Sequence, residues 1–170
     1  MAAHDTKTQD EKVRKLDALI RDIKVAMLTT ADPSGRLYSR PMYALEGLDA
    51  EGCLNFFADR DSAKVDELRQ DAQVNCAFAR PSDQEYVSAS GTATVTQDKA
   101  QLRANWTAAA KPWYPDGPDT PGLCLIRVKV SDAQYWDAHN KTMLQALGTL
   151  KAVVTGERVK NAGENEKVSL

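Results

Sequence analysis

Histidine and cysteine are both scarce in this chain of 170 residues, and their scarcity limits its chemistry. The two histidines are His4, near the N-terminus, and His139, so a histidine-based hydrolytic triad is not expected. The three cysteines, Cys53, Cys76 and Cys124, lie far apart in apolar runs and lack the spacing of a metal site. We expect buried free thiols, which favour a reducing compartment and therefore predict a cytoplasmic protein.

The motifs of the common nucleotide-dependent and hydrolytic enzymes are also missing. The sequence contains no GxGxxG, GxxxxGKS/T, HExxH, CxxC or GxSxG. Its net charge of −2 and the lack of a basic stripe argue against a nucleic-acid partner. The polar N-terminal stretch has no apolar segment typical of a secretory signal, and no apolar run approaches the length of a membrane span.

The hydrophobic content of 42% is enough to build the core of one domain at this length. Helical spacing of apolar residues predicts helices at 9–23, 63–70 and 98–110, and from residue 140 to about 154. Strands are predicted at 25–30, 36–45, 53–58, 73–79, 85–96 and 123–130, the last extending to 139. We expect one domain over residues 9–156, a flexible start at 1–8 and a mobile tail at 157–170.

The order of these elements predicts the fold class, which is mainly β (α+β). Short strands joined mostly by turns, with helices at the ends and no βαβ rhythm, indicate an antiparallel sheet that curls into a barrel. Pro41 cannot donate a ladder hydrogen bond, so its strand should be interrupted or lie at an edge. Gly91, inside an alternating strand, indicates a bulge or a close approach of two backbones.

Three side chains near two predicted strand ends indicate an anion site. Arg40 has a guanidinium fork suited to phosphate. Ser62 and Lys64 stand at the start of a short helix, where free N–H groups and the helix dipole favour an anion. The alternative is that Arg40 pairs with a surface carboxylate and that Lys64 is simply solvated. The residues alone leave both interpretations open.

Four stretches of the sequence resemble a known family. They are VAMLTTADPSGRLYSRPM, GCLNFFADRDSAKVDELRQDAQVNCAFA, YVSASGTATV and KPWYPDGPDTPGLCLIRVKVSDAQYWD. In order and spacing the chain resembles the bacterial general stress proteins, which are pyridoxamine 5'-phosphate oxidase-like flavin-binding split barrels. The resemblance implies a six-stranded antiparallel split β-barrel with flanking helices, a homodimer, and FMN in a groove between the two subunits.

The resemblance also implies cofactor-binding positions on two segments. One is the strand whose arginine contacts the FMN phosphate and whose backbone faces the flavin ring, matched here by Ser39, Arg40, Pro41 and Met42. The other is a Ser-x-Lys that completes the phosphate site, matched by Ser62 and Lys64. No metal site is implied, and no catalytic residue of this chain is identified.

Other positions carried over from the family match its pattern less closely. Ala58 and Asp59 stand where relatives often have a small polar pair, so Ala58 removes one side-chain hydrogen bond to the flavin. Trp136 resembles a late aromatic residue near the cofactor, and it is expected to reach the partner's site. For the tryptophans in general, core packing is the default interpretation. Trp113, on a proline-rich loop at 111–121, is instead favoured as a lid over the flavin ring.

Two functions from different classes follow from the resemblance. Because a flavin carries the redox chemistry itself, the first is an FMN-dependent oxidoreductase acting on an unknown small molecule. Oxidation of pyridoxamine phosphate is disfavoured, since Arg158 and Lys160 lie in the predicted tail and no other basic pair matches a substrate phosphate site. The alternative is a non-catalytic flavin-binding module that serves as a redox buffer, store or stress sensor. FAD or a deazaflavin remains open as the cofactor, whereas haem is unexpected without a suitably placed histidine.

Overall fold

The structure is a computed structural model that describes residues 7–138 and 164–170. Its α-helices in these ranges are α1 (Gln9–Ile23), α2 (Ala63–Gln70) and α3 (Lys99–Ala104). Its strands there are β1 (Val25–Ala31), β2 (Leu37–Tyr43), β3 (Cys53–Asp59), β4 (Gln73–Arg80), β5 (Glu85–Thr96), β6 (Leu123–Asp137) and β7 (Glu164–Ser169). The helix predicted from residue 140 to about 154 lies outside the described residues, as do His4 and His139.

All of these strands join one antiparallel sheet. The order is β2-β1-β4-β5-β6-β3, and β7 also pairs with β6. Strand β6 has 15 residues, so its first half pairs with β3 and its second half with β7. The sheet curls into an open half-barrel around the core. The prediction of a mainly β split barrel with flanking helices is therefore confirmed.

The C-terminal end of the chain differs from the sequence prediction. Residues 164–169 form strand β7, whereas the sequence predicted a mobile tail from residue 157. The β7 backbone pairs with residues 132–137 of β6, and Val168 is buried in the core. The charged run before Val168 carries almost no apolar signal. The long β6 edge supplies the backbone partners that this segment needs, and the sequence of the tail cannot reveal that edge.

Helix α1 covers the barrel core as its apolar spacing predicts. It begins after Thr8, which forms a capping box with Glu11. Leu16, Leu19 and Ile20 are buried, and their side chains join the main hydrophobic cluster of the barrel. The charged residues of α1 occupy the opposite face, in agreement with the predicted single apolar stripe.

The two special strand residues behave as predicted. Strand β2 is one end of the strand order, which places Pro41 on an edge strand. The β5–β6 register shifts between Ser90 and Gly91. A Cβ atom on Gly91 would lie 2.2 Å from the carbonyl oxygen of Lys129, so only glycine lets the two backbones approach.

The helix predicted at 98–110 is confirmed only for its first part. Helix α3 ends at Ala104, and a short 3₁₀ turn follows at Ala108–Ala110. Asn105 ends the helix: its backbone N–H and its side-chain amide both donate to the Gln101 carbonyl, at 3.1 Å and 3.0 Å. Trp106 then packs on Phe57 with ring centroids 5.6 Å apart. This contact confirms the packing interpretation for Trp106.

The cysteines are buried and free, as expected from their apolar surroundings. Burial raises the pKa of Cys76 to about 12, which makes its thiol unreactive at neutral pH. In the two described ranges, no helix combines the length and the apolar character that crossing a membrane requires.

Candidate functional site

A cleft of about 370 Å³ opens where the sheet fails to close. It is lined by β2 and β3, which are the two ends of the strand order, and by the start of α2 and the segment after α3. Its lining is mostly apolar and includes Pro41, Met42, Phe57, Ala58, Trp113 and Tyr114. The cleft is therefore a product of the split barrel itself, and it has the concave, apolar form typical of ligand sites.

Aromatic side chains form one wall of the cleft. The ring of Tyr114 meets that of Phe57 nearly edge-on, at a centroid distance of 6.1 Å and an interplanar angle of 74°. Phe57 is 7% exposed and is backed by Trp106. Trp113, in contrast, is 66% exposed although it lines the cleft. The wall formed by Phe57 and Tyr114 is fixed by packing, whereas the Trp113 indole stands free at the rim.

Among the described residues that line this cleft, Lys64 is the one cation. Burial is the main cause that lowers the pKa of its ammonium group, and the positive charge of Arg40 lowers it further. Within the described ranges the ammonium makes no hydrogen bond or salt bridge. An anion that entered the cleft would stabilise the charged form of Lys64, so this end of the cleft is suited to a phosphate or carboxylate.

Arg40 does not line the cleft, because two other side chains bind its guanidinium. Its Nη2 atom donates to Glu67 Oε2 at 2.9 Å, and its Nη1 atom donates to Thr30 Oγ1. The Thr30 hydroxyl in turn donates to the same Glu67 oxygen. The Arg40 and Glu67 side chains are 23% and 12% exposed, so the pair is largely removed from water. Arg40 thus has a carboxylate partner, but this carboxylate is largely buried, whereas the sequence interpretation named a surface carboxylate.

The start of α2 keeps backbone N–H groups available. Ser62 is the N-cap residue, but its side chain makes no capping hydrogen bond. Its hydroxyl instead donates to the Asp59 carbonyl at 2.6 Å. The Asp59 carboxylate accepts from the backbone N–H of Asp61 at 2.9 Å, which holds the loop before the helix. The backbone N–H groups of Val65 and Asp66 donate to the Ser62 carbonyl, so within the described ranges those of Ala63 and Lys64 are the first-turn donors left without a cap.

The structure brings together five of the residues named from the sequence, namely Pro41, Met42, Ala58, Lys64 and Trp113. Arg40 lies behind Lys64, and Ser62 and Asp59 shape the loop that precedes it. Ser39 is exposed and shares a hydrogen bond with Thr29 at 2.7 Å. Trp136 lies on β6, opposite Tyr86 and Asn165, and does not line the cleft of its own chain.

Sequence reasoning missed Phe57, Tyr43 and Tyr114, which also line the cleft. Each is adjacent in sequence to a residue that was identified. An aromatic residue next to an identified position was therefore the signal that could have revealed them. Burial is the first cause that raises the pKa of Tyr114, followed by the nearby Cys124 and Asp59. Tyr114 is therefore a neutral phenol at physiological pH and can donate a hydrogen bond to a ligand.

An antiparallel barrel that is open between its end strands, with a cleft in the opening, defines a split-barrel protein. The family model described as pyridoxamine 5'-phosphate oxidase like matches residues 11–160. The chain belongs to this family.

The chain is also similar to individual proteins. Protein bli-3 of Neurospora crassa is 30% identical over 158 residues, an alignment that covers 87% of this chain and 75% of that protein. A Clostridium acetobutylicum protein related to general stress protein 26 of Bacillus subtilis superposes with a TM-score of 0.71 at 15% identity, covering 96% of this chain and 97% of that one. The general stress FMN/FAD binding protein of Xanthomonas citri gives a TM-score of 0.62 at 26% identity, covering 76% and 90%.

Proposed function

We propose that this protein binds FMN in the cleft and acts as a general-stress-type oxidoreductase on a small molecule. The observation that carries the proposal is an apolar, aromatic-walled cleft lined by Lys64, whose ammonium group makes no salt bridge in the part of the chain that the structure describes. FMN has the two matching parts, because its ring is planar and its phosphate is anionic. The relative from Xanthomonas citri is an FMN/FAD binding protein, which supports the same choice.

Two further assignments belong to this proposal. FAD would present its first phosphate to Lys64 as FMN does, and a deazaflavin phosphate would be held in the same way, so the cleft accepts this whole ligand class. The buried free thiols support a reducing, cytoplasmic compartment.

The lining of the cleft also supports a second candidate. In the described part of the chain its titratable residues are Lys64, Tyr43 and Tyr114, and no histidine or carboxylate lines it. A flavin needs no such group for hydride exchange, so an oxidoreductase remains our first choice. The same lack of an acid–base pair would suit a non-catalytic flavin-binding module.

Anaerobic reduction distinguishes the two functions. The protein loaded with FMN is mixed under nitrogen with NADH or NADPH, and the flavin absorbance is followed with time. Bleaching that is many times faster than for free FMN supports the oxidoreductase. A bound flavin that neither donor reduces faster than free FMN supports the binding module instead.

We also propose a homodimer with the cofactor at the subunit interface. Val25, Met27 and Leu37 are exposed on β1 and β2, and Val25 also lines the cleft. A second subunit covering this apolar surface would bury it and complete the open side of the cleft. Trp136, which is 37% exposed on β6, is proposed to reach the partner's site.

Trp113 is proposed as the lid over the flavin ring, and its replacement tests that role. Trp113→Ala is expected to weaken FMN and riboflavin binding equally, by roughly 3- to 10-fold, because an aromatic contact adds about 0.5–1.5 kcal/mol. Trp113→Phe keeps a planar side chain and should retain most of the affinity. Fluorescence titration measures both ligands, and equal affinities for wild type and Trp113→Ala would exclude the lid.

The lowered pKa of Lys64 predicts a pH dependence. Phosphate binds the protonated amine, so FMN affinity should fall as the pH rises through this pKa, below the usual lysine value of 10.5. The ratio of FMN to riboflavin affinity isolates the effect, because titration of the flavin ring is common to both ligands. Lys64→Arg remains charged over this range, and its ratio should stay constant. A constant ratio for the wild type would contradict the prediction.

A further inference from the structure

A cluster of three charged side chains, Arg40, Lys64 and Glu67, lies at one end of the cleft and joins β2 to α2. Lys64 and Glu67 are on α2 at positions i and i+3, so they share one face of the helix. Glu67 binds Arg40 of β2 and also accepts the Thr30 hydroxyl. The cluster therefore contains two cations and one anion, of which only Lys64 lines the cleft.

The position of Glu67 affects both cations. Its Oε2 atom accepts from Nη2 of Arg40 at 2.9 Å, which occupies one branch of the guanidinium fork while Thr30 accepts from the other. Its side chain is 12% exposed, so water screens its charge only weakly. A dianionic phosphate at Lys64 would meet one net positive charge instead of two, and it would be repelled by the nearby carboxylate.

We propose that Glu67 is an internal counter-ion that competes with the ligand phosphate for Arg40, and thereby limits how tightly the cleft holds phosphate-bearing ligands. This inference rests on the proposed function, since it concerns the phosphate end of the same cleft. Removing the Glu67 charge takes away the anionic partner of Arg40, so that the positive charge of Arg40 beside Lys64 is no longer neutralised. The two cations then suit a bidentate phosphate contact. As a consequence, Glu67 lowers the affinity of the site for the phosphate-bearing ligand, and the ligand can exchange.

The test compares two variants on the same helix. Glu67→Gln keeps the shape of the side chain and can still bind Thr30, so the fold is expected to be retained. Asp66→Asn removes the same unit of charge one position earlier, at an exposed residue that pairs with Arg69. Affinities for FMN and riboflavin are measured by fluorescence titration, and their ratio reports the phosphate contribution alone.

Glu67→Gln is expected to raise the FMN to riboflavin affinity ratio by about fivefold or more, as removal of a nearby like charge implies. Asp66→Asn should leave the ratio within about twofold, because exposed charges contribute little. Glu67→Asp withdraws the carboxylate by one methylene and should give a smaller increase, which provides a second readout if Glu67→Gln does not fold. An unchanged or lower ratio in Glu67→Gln would overturn the proposal and make Glu67 a residue that only positions Arg40.

Inorganic phosphate separates this inference from the proposed function. Phosphate should raise the Tm of Glu67→Gln more than that of the wild type or Asp66→Asn. If the wild type bound no flavin but this difference were found, the flavin proposal would fail and the counter-ion role of Glu67 would stand. If flavin were bound and the phosphate shifts were equal, only the counter-ion role would fail.

Discussion

Replacing Lys64 by alanine is expected to weaken FMN binding by roughly 10- to 100-fold while leaving riboflavin binding unchanged. A hydrogen bond to a charged group contributes about 1.5–3 kcal/mol. FMN loses this hydrogen bond when Lys64 is replaced, whereas riboflavin has no phosphate that could form it. Among the described residues Lys64 is the one cation that lines the cleft, and burial disfavours its charge, so a phosphate bound there would stabilise the charged form. Equilibrium dialysis or fluorescence titration with both ligands measures the difference.

The matched control for this substitution is Lys129→Ala. It removes the same charge, but Lys129 pairs with Cys53 at the far end of the β3–β6 ladder, whereas Ala58 at the cleft pairs with Cys124. Both affinities should remain at the wild-type value. If Lys64→Ala lowered FMN and riboflavin affinity equally, the lysine would act through the shape of the cleft and the phosphate would lie elsewhere. The same titration of Arg40→Ala should show a smaller phosphate effect, since Glu67 already neutralises Arg40.

Gly91→Ala is expected to cost about 3 kcal/mol or more of folding stability, which exceeds the usual range for overpacking. The added Cβ would lie 2.2 Å from the Lys129 carbonyl oxygen and 2.9 Å from its carbonyl carbon. Backbone atoms of a paired strand cannot move aside as the end of a flexible side chain can, so the β5–β6 register must shift. Urea denaturation followed by circular dichroism gives the change in the free energy of unfolding.

Gly35→Ala provides the comparison for Gly91→Ala, because a different constraint disfavours a side chain at each site. At Gly35 the constraint is the backbone conformation, and at Gly91 it is the space between two strands. Gly35 has φ +81°, but nothing lies within 4 Å of an added Cβ. Its substitution should therefore cost only about 1–2 kcal/mol of backbone strain. If Gly91→Ala were no more destabilising than Gly35→Ala, the close approach of β5 and β6 would not be the reason for glycine at position 91.

Residues with local constraints made much of this fold predictable. The apolar stripe from Val13 to Ile23 predicted α1 with its observed bounds, and the alternation in β5 predicted that strand with Gly91 inside it. Helix α3 is shorter than predicted: it ends at Ala104 with Asn105 as its cap, and Trp106 packs on Phe57. Strand β7 escaped prediction because its stability comes from the β6 edge, which is distant in sequence.

The residues of the candidate site likewise fall into those with a local sequence signal and those without one. Lys64 could be identified from its place at a helix start, and Trp113 from its proline-rich loop, because both signals are local. The Arg40–Glu67 pair could not, since it joins β2 to α2 across 27 residues and depends on how the sheet curls. For the same reason the aromatic wall of Phe57 and Tyr114 emerges only when the two ends of the sheet face each other.

The most direct test of the central claim is the visible absorption spectrum of the purified protein after incubation with FMN and removal of free ligand by desalting. We predict retained flavin bands with a stoichiometry near one FMN per chain, and a dimer mass by light scattering of the same sample. A colourless protein after desalting, with no change in FMN fluorescence when the two are mixed, would contradict the claim that this cleft is an FMN site.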